Sequence, residues 1–426
     1  MKIQIRNGRV IDPATGLDKV QDVFVAAGHI VALGAAPDGF HANRVIDAAG
    51  LVVAPGLVDL AARLREPGFE YRATLESEMG AAVAGGVTSI ACPPDTDPTL
   101  DEPGLVEMLK YRAKSLSRAK LYPVGALTVG LAGERLTEMG ELTRAGCLAF
   151  TQATRPIVDT QVLLRALEYA ATFGYTVWLC PQDPFLSRAG VAHDGEVAGR
   201  LGLAGIPTSA ETVRLATLLQ LARDTGVRMH ITRLSSAAGA AMVAQAKASD
   251  VRVSSDVAIN HLHLTEMDIG YFDPQAHLMP PLRTQRDRDA LRQALADGGI
   301  DALCSDHTPV DDDAKQLPFA EAEAGATGLE LLLPLTLKWG AEMKLPLVKS
   351  LARITCDPAR VLGIAAGRVS VGAAADLCLF DSSQPVRISR ESLLSQGKNT
   401  PFLGHELAGR VHYTLVDGHL VFEARR

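Results

Sequence analysis

Four side chains widely spaced along this sequence have the chemistry of a reactive centre: Cys180, His230, Asp306 and His307. A thiolate, two imidazoles and a carboxylate together suit Zn²⁺. Without a metal, the same set offers Cys180 as a nucleophile with His230 or His307 as its base. His261-Leu262-His263 is the only His-x-His in the chain, a spacing that puts two imidazoles on one face of a strand. It follows Val251 to Val257, which reads as strand seven. Two arginines stand against any metal site. Arg63 and Arg233 carry guanidinium groups, which stay charged and have no lone pair to give a metal. No phosphate-binding loop, dinucleotide glycine pattern or nucleophile elbow is present.

The elements that must position these residues alternate between apolar strands and helical patterns from residue 54 to residue 363. Strand ends are expected near Val58-Leu60, Ala91-Cys92, Val124-Gly125, Ala149-Phe150, Trp178-Leu179, His230-Ile231, Val253-Ser254 and Leu303-Cys304. Eight such strands with crossover helices predict an α/β fold, a (β/α)8 TIM-type barrel, with reactive groups just past the strand ends. Helical stripes over Val162–Phe173, Ser209–Thr225 and Leu329–Lys344 would pack outside it. Residues 1–53 and 364–426 read instead as short strands and turns, predicting one small β-sandwich built from both chain ends. Its later strands are expected at Gly367-Arg368-Val369, Ala375–Asp381 and Val411–Phe422.

The segment from Pro55 to Gly68, ending Arg65-Glu66-Pro67-Gly68, resembles the first barrel strand of dihydroorotase in the amidohydrolase superfamily. The resemblance continues in order through Val87–Pro98, Gly195-Glu196, Gly205-Ile206-Pro207, Met279-Pro280-Pro281-Leu282-Arg283, Ser305-Asp306-His307-Thr308-Pro309, Gly325–Glu330 and Asp357–Gly363. It implies a divalent metal pair held by a His-x-His on strand one, where this chain has Ala61 and Arg63. It implies a bridging acid or carboxylated lysine on strand four, where the chain has Gln152, Ala153 and Thr154. The strand-five histidine is Cys180 and the second strand-six histidine is Arg233. Only Asp306 is kept, at the position that binds metal and shuttles the proton. His261 matches a family histidine that is not a ligand. In the substrate pocket Arg65 is kept, two asparagines have become Asp95 and Met279, and a histidine has become Val310.

These positions are expected to be vestigial, with no catalytic, cofactor-binding or metal-binding role. Arg63 or Arg233 is expected within salt-bridge distance of Asp306, taking over the metal's charge. Arg65 is expected to pair with Glu66 or Asp95, and Asp306 and His307 to serve packing and hydrogen bonding. The resemblance is closest to the inactive dihydroorotase-like subunits that join aspartate carbamoyltransferase catalytic chains in pyrimidine biosynthesis. A non-catalytic, oligomeric assembly subunit is the expected function. The alternative is a hydrolase of a cyclic amide with metal-free or mononuclear chemistry. The formal charge of −7 without a basic run speaks against nucleic-acid binding. No run of about 18 apolar residues suggests a membrane span. Six scattered cysteines without C-x-x-C fit a cytoplasmic protein with free thiols.

Overall fold

Eight parallel strands carry the middle of the chain in the computed structural model, which describes residues 1–425. They are Leu57–Asp59, Val87–Cys92, Lys120–Ala126, Phe150–Thr151, Thr176–Leu179, Arg228–Ile231, Val253–Ala258 and Ala302–Cys304, the third interrupted at Val124. Each pairs in parallel with the next. The ring closes where Ala62 meets His307 in a parallel bridge. There the Arg63 N–H donates to the His307 carbonyl at 2.9 Å, and the His307 N–H to the Ala61 carbonyl at 2.9 Å. Beneath that seam the buried Asp59 carboxylate accepts the Ser305 N–H at 2.8 Å and the Ser305 hydroxyl.

The barrel is solid. Val58, Leu60, Ala91, Val124, Ala149, Trp178, Ala258 and Cys304 pack inside it against Ala359 and Leu362 of the helix Cys356–Leu362. Helices wrap the outside for local reasons. The helix Thr160–Phe173 starts at Asp159, whose side chain accepts the Gln161 N–H, and ends at Gly174 with φ +72°. Leu163, Ala166, Leu167 and Ala170 form its buried stripe at helical spacing. The helix Thr208–Thr225 follows the predicted range. The predicted Leu329–Lys344 helix divides into a 3₁₀ turn, Leu329–Leu331, and an α-helix, Leu332–Glu342.

Both chain ends build the sandwich. A six-stranded sheet runs in the order His419–Glu423, Glu406–Val416, Leu377–Arg387, Val52–Pro55, Arg9–Asp12, Leu17–Val20. It faces a four-stranded sheet from residues 3–47 across Ile3, Ile5, Val10, Val25, Val53, Leu377 and Leu415. Val52–Pro55 leads straight into the first barrel strand through Gly56, where a Cβ would stand 2.2 Å from Thr88 side-chain atoms. Only glycine fits that close approach. Gly367-Arg368-Val369 is not the predicted strand. Gly367 turns at φ +74° against Thr355 and Cys356, while Val369 still buries its side chain in the sandwich core. No helix among the described residues is long and apolar enough to cross a membrane.

Candidate functional site

A cavity of about 220 Å³ lies past the C-terminal ends of the barrel strands, where Arg63, Arg65, Asp95, Arg233, Met279 and Asp306 meet. Three of these residues hold left-handed backbone: Arg65 at φ +64°, Arg233 at +57° and Asp306 at +47°. Ala153, at the end of strand four, does the same at +51°. Left-handed backbone costs a residue with a Cβ roughly 1–2 kcal/mol, so these sharp strand exits are maintained at an energetic cost. They aim side chains across the barrel mouth, and at Ala153 the exit now carries no chemistry.

Charge alternates across the pocket. Arg233 Nη1 donates to Asp306 Oδ1 at 3.0 Å, and Arg63 Nη1 stands 3.6 Å from the same oxygen. Arg63 also donates through Nε to Asp95 Oδ2 at 2.7 Å and through Nη1 to Thr308 Oγ1 at 3.1 Å. The row Asp95, Arg63, Asp306, Arg233 therefore balances itself. Burial alone would raise the Asp95 carboxyl, but the charge and hydrogen bond of Arg63 hold it below the usual carboxylate range. Burial is the largest single influence on Arg233 and lowers it, but the surrounding groups together, Asp306 foremost, outweigh it and leave the guanidinium more firmly protonated than usual. Both arginines reach Asp306, as expected for groups replacing a metal's charge.

Arg65 departs from the sequence expectation. It pairs with neither Glu66 nor Asp95, and its Nε donates to the Pro309 carbonyl at 2.9 Å. Asp95 is taken by Arg63. Glu66 accepts the Leu75 N–H at 2.7 Å and pairs with Arg112. Burial, then the charge of Arg63, lower the Arg65 guanidinium to about 10.

The other candidates do not assemble into a reactive centre. His230 is fully buried, with Nδ1 2.8 Å from Ser254 Oγ and Nε2 3.0 Å from Asp256 Oδ2. His307 turns away toward Glu78, with Nε2 2.6 Å from Glu78 Oε2, while its Nδ1 accepts the Gly328 N–H at 3.1 Å. Both ring nitrogens of each histidine are therefore engaged. Burial pushes the Cys180 thiol up despite the opposing charge of Arg233, and a thiol held protonated is a poor nucleophile and a poor ligand. His261 and His263 lie at the 3₁₀ turn Ile259–Leu262, with Nε2 atoms against the Pro281 and Leu335 carbonyls. They form no clamp.

Of the remaining positions, Ala61 packs with the barrel interior and Ala153 packs with Ala126 and Leu131. Met279 Sδ accepts from Gln182 Nε2 at 3.3 Å. Val310 is buried, its N–H donating to Asn399 Oδ1 at 3.0 Å. Among the described residues no group of three or more His, Cys, Asp or Glu stands close enough to hold a metal ion. Asp306 faces guanidinium groups, and that donor set does not fit a divalent cation.

Three residues that organise the site were not singled out from the sequence. Asp256 accepts the Arg233 N–H at 2.6 Å as well as His230. Glu78, buried on the helix Leu75–Ala84, joins His307 to Ser395. Thr308 holds Arg63. The one sequence signal was an acid placed where burial demands a partner: Asp256 on a strand of the barrel and Glu78 beside Met79 on the inward face of its helix.

Similarity to known proteins agrees with this architecture. Residues 50–238 match the family model for dihydro-orotase-like proteins, and residues 189–421 match that of the amidohydrolase family. A "dihydroorotase-like protein" of Pseudomonas aeruginosa is 51% identical over 99% of this chain and 100% of its own length. One from Pseudomonas putida is 49% identical over 99% of both. A protein of Geobacter sp. strain M21 named dihydroorotase is 40% identical over 100% of both. In fold, the chain is similar to the L-hydantoinase (dihydropyrimidinase) of Arthrobacter aurescens, with a TM-score of 0.88 and 24% identity over 99% and 96% of the two chains. Sequence match along the whole chain and a shared barrel-and-sandwich frame lead to one conclusion: the chain belongs to the dihydroorotase-like group of the amidohydrolase family.

Proposed function

We propose that this protein is a non-catalytic dihydroorotase homologue that serves as a structural subunit of an aspartate carbamoyltransferase complex in pyrimidine biosynthesis. The observation that carries the first half is the placement of Asp306 between Arg233 at 3.0 Å and Arg63 at 3.6 Å. A carboxylate neutralised by two guanidinium groups is withdrawn from metal binding and from proton transfer. The assembly half is supported by a frame kept whole, strained strand exits included, around a pocket whose chemistry has been replaced. Such a frame fits a role carried by surfaces. All six cysteines are unpaired, which fits a reducing cytoplasm.

The alternative, a cyclic-amide hydrolase without a metal pair, would rest on Cys180 with His230 or His307 as base. The raised thiol and the engagement of both histidines count against it. Co-expression with the cognate aspartate carbamoyltransferase catalytic chain tests the proposal. A stable co-eluting complex is expected; two chains that elute separately at micromolar concentration would end the assembly reading.

A further inference from the structure

The strand His419–Glu423 is an edge of the six-stranded sheet and pairs only with Glu406–Val416. The turn before it is tight: Val416 pairs with His419 across Asp417-Gly418, whose φ angles are +46° and +69°. In a two-residue hairpin of this kind the pair flanking the turn is hydrogen bonded, so the N–H and C=O of the next residue, Leu420, face the open side. The ladder shifts register beyond it, Leu415 pairing with Leu420 but Thr414 with Phe422, so Val421 is an extra, bulged residue whose carbonyl is taken by Arg118 Nη1 at 2.7 Å. Exposed edges of this sort are templates for strand addition, and proteins ordinarily cover or charge them. The opposite edge, Leu17–Val20, follows that rule, since Asp18 and Lys19 project from it and Arg9 grips Asp18 through two hydrogen bonds.

The edge at His419–Glu423 is blunted only at Val421, and at Leu420 it opens onto a groove. A cavity of about 710 Å³ separates it from the helix Pro103–Ser115, with Leu121, Leu420 and Val421 contributing apolar surface. Its walls carry Lys110, Lys114, Arg118 and Lys120. The acids facing them are Asp417 and Asp376, both engaged by Lys120 at 2.6 and 2.8 Å. Lys114 makes no ion pair among the described residues, and Tyr111 stands 77% exposed at the rim. A positive groove on a chain of net charge −7 selects a negative occupant.

We propose that this groove receives an extended acidic segment of another protein, which adds to the sheet beside His419–Glu423 as a seventh strand. Main-chain hydrogen bonds to Leu420 would give affinity, the apolar floor would take alternate side chains, and the lysines would take the acids. The site lies on the sandwich side of the molecule and is independent of the fate of the barrel mouth.

The test presents the full-length protein with a phage-displayed library of random dodecapeptides. The expected selection is for sequences with acids alternating with apolar residues. A synthetic peptide of the selected sequence should slow amide exchange at His419–Glu423. Lys114→Glu should weaken its binding at least tenfold while leaving the melting temperature unchanged. Leu420→Pro, which removes the outward N–H, should abolish binding, its fold checked by circular dichroism. Failure to enrich acidic sequences, or binding indifferent to Lys114→Glu, would overturn the proposal. So would sedimentation showing that a second copy of this chain occupies the groove, as self-association lost in both variants.

Discussion

Arg233 and Asp306 face each other across the barrel mouth at 3.0 Å, both on left-handed backbone and both largely buried, with side chains 6% and 10% exposed. Strands six and eight thus converge on a single ion pair, and Arg63 on strand one stands behind it at 3.6 Å. In the dihydroorotase frame the same convergence would serve metal ions. Fixed charges need no loading and no deprotonation, which is the basis for proposing that they stand in for a cation.

Removing one partner should expose what the pair supports. Asp306→Ala leaves two buried guanidinium groups short of a counter-charge, and the expected loss is about 3 kcal/mol of unfolding free energy in urea. Combining it with Arg233→Met should restore much of that loss, because replacing both partners avoids the unpaired charge. An Asp306→Ala protein as stable as the parent would show that the pair does not bear on folding.

Restoring a single ligand should not restore a site. Arg233→His returns one imidazole to strand six, but Ala61, Arg63, Ala153 and Cys180 remain. Elemental analysis after dialysis is expected to find well under one zinc per chain in both the parent and the variant. One or two tightly held ions in the parent would contradict the charge-replacement reading.

The role of Arg63 can be read from pH. Asp95 lies below its ordinary range in the folded protein because of Arg63, so its contribution is present above about pH 4, the unfolded value, and is lost as pH falls through the folded value. In Arg63→Met burial would dominate and raise Asp95, reversing the sign. The stability gap between parent and variant should therefore narrow as pH drops toward the acid range. A gap constant with pH would mean that Asp95 does not depend on Arg63.

Buried His261 and half-buried His263 predict a second pH dependence. Burial lowers His261 and His263 to about 4. The unfolded chain binds these protons near pH 6.5 while the folded protein refuses them. Their contribution is full above about pH 6.5, declines as pH falls, and stops changing below about 4. Urea midpoints should fall between pH 7.5 and 5 at this end of the molecule's titration, and His263→Gln, whose amide can still donate to the Leu335 carbonyl, should flatten the decline.

Much of this was legible in the sequence because it depends on periodicity and on residue type. Eight apolar runs spaced by helical stripes specify the barrel, and Ala61, Arg63 and Arg233 cannot be metal ligands whatever their geometry. Pairings were less legible. Asp95 looked like a partner for Arg65, but left-handed backbone at Arg65 sends its side chain to the Pro309 carbonyl and leaves Asp95 to Arg63. His307 serves hydrogen bonding as expected, through Glu78, whereas His230, a possible base in the alternative reading, is engaged by Asp256 of the neighbouring strand. Gly367-Arg368-Val369 showed one buried valine, too little pattern to separate a turn from a strand.

The central claim is that the barrel performs no dihydroorotase chemistry, and turnover tests it most directly. Purified protein would be incubated with carbamoyl aspartate and, separately, with dihydroorotate, each with and without added zinc, and ring closure or opening followed against buffer. The expected result is no rate above buffer under any of the four conditions. A rate that rises with protein concentration and disappears in Asp306→Ala would contradict it.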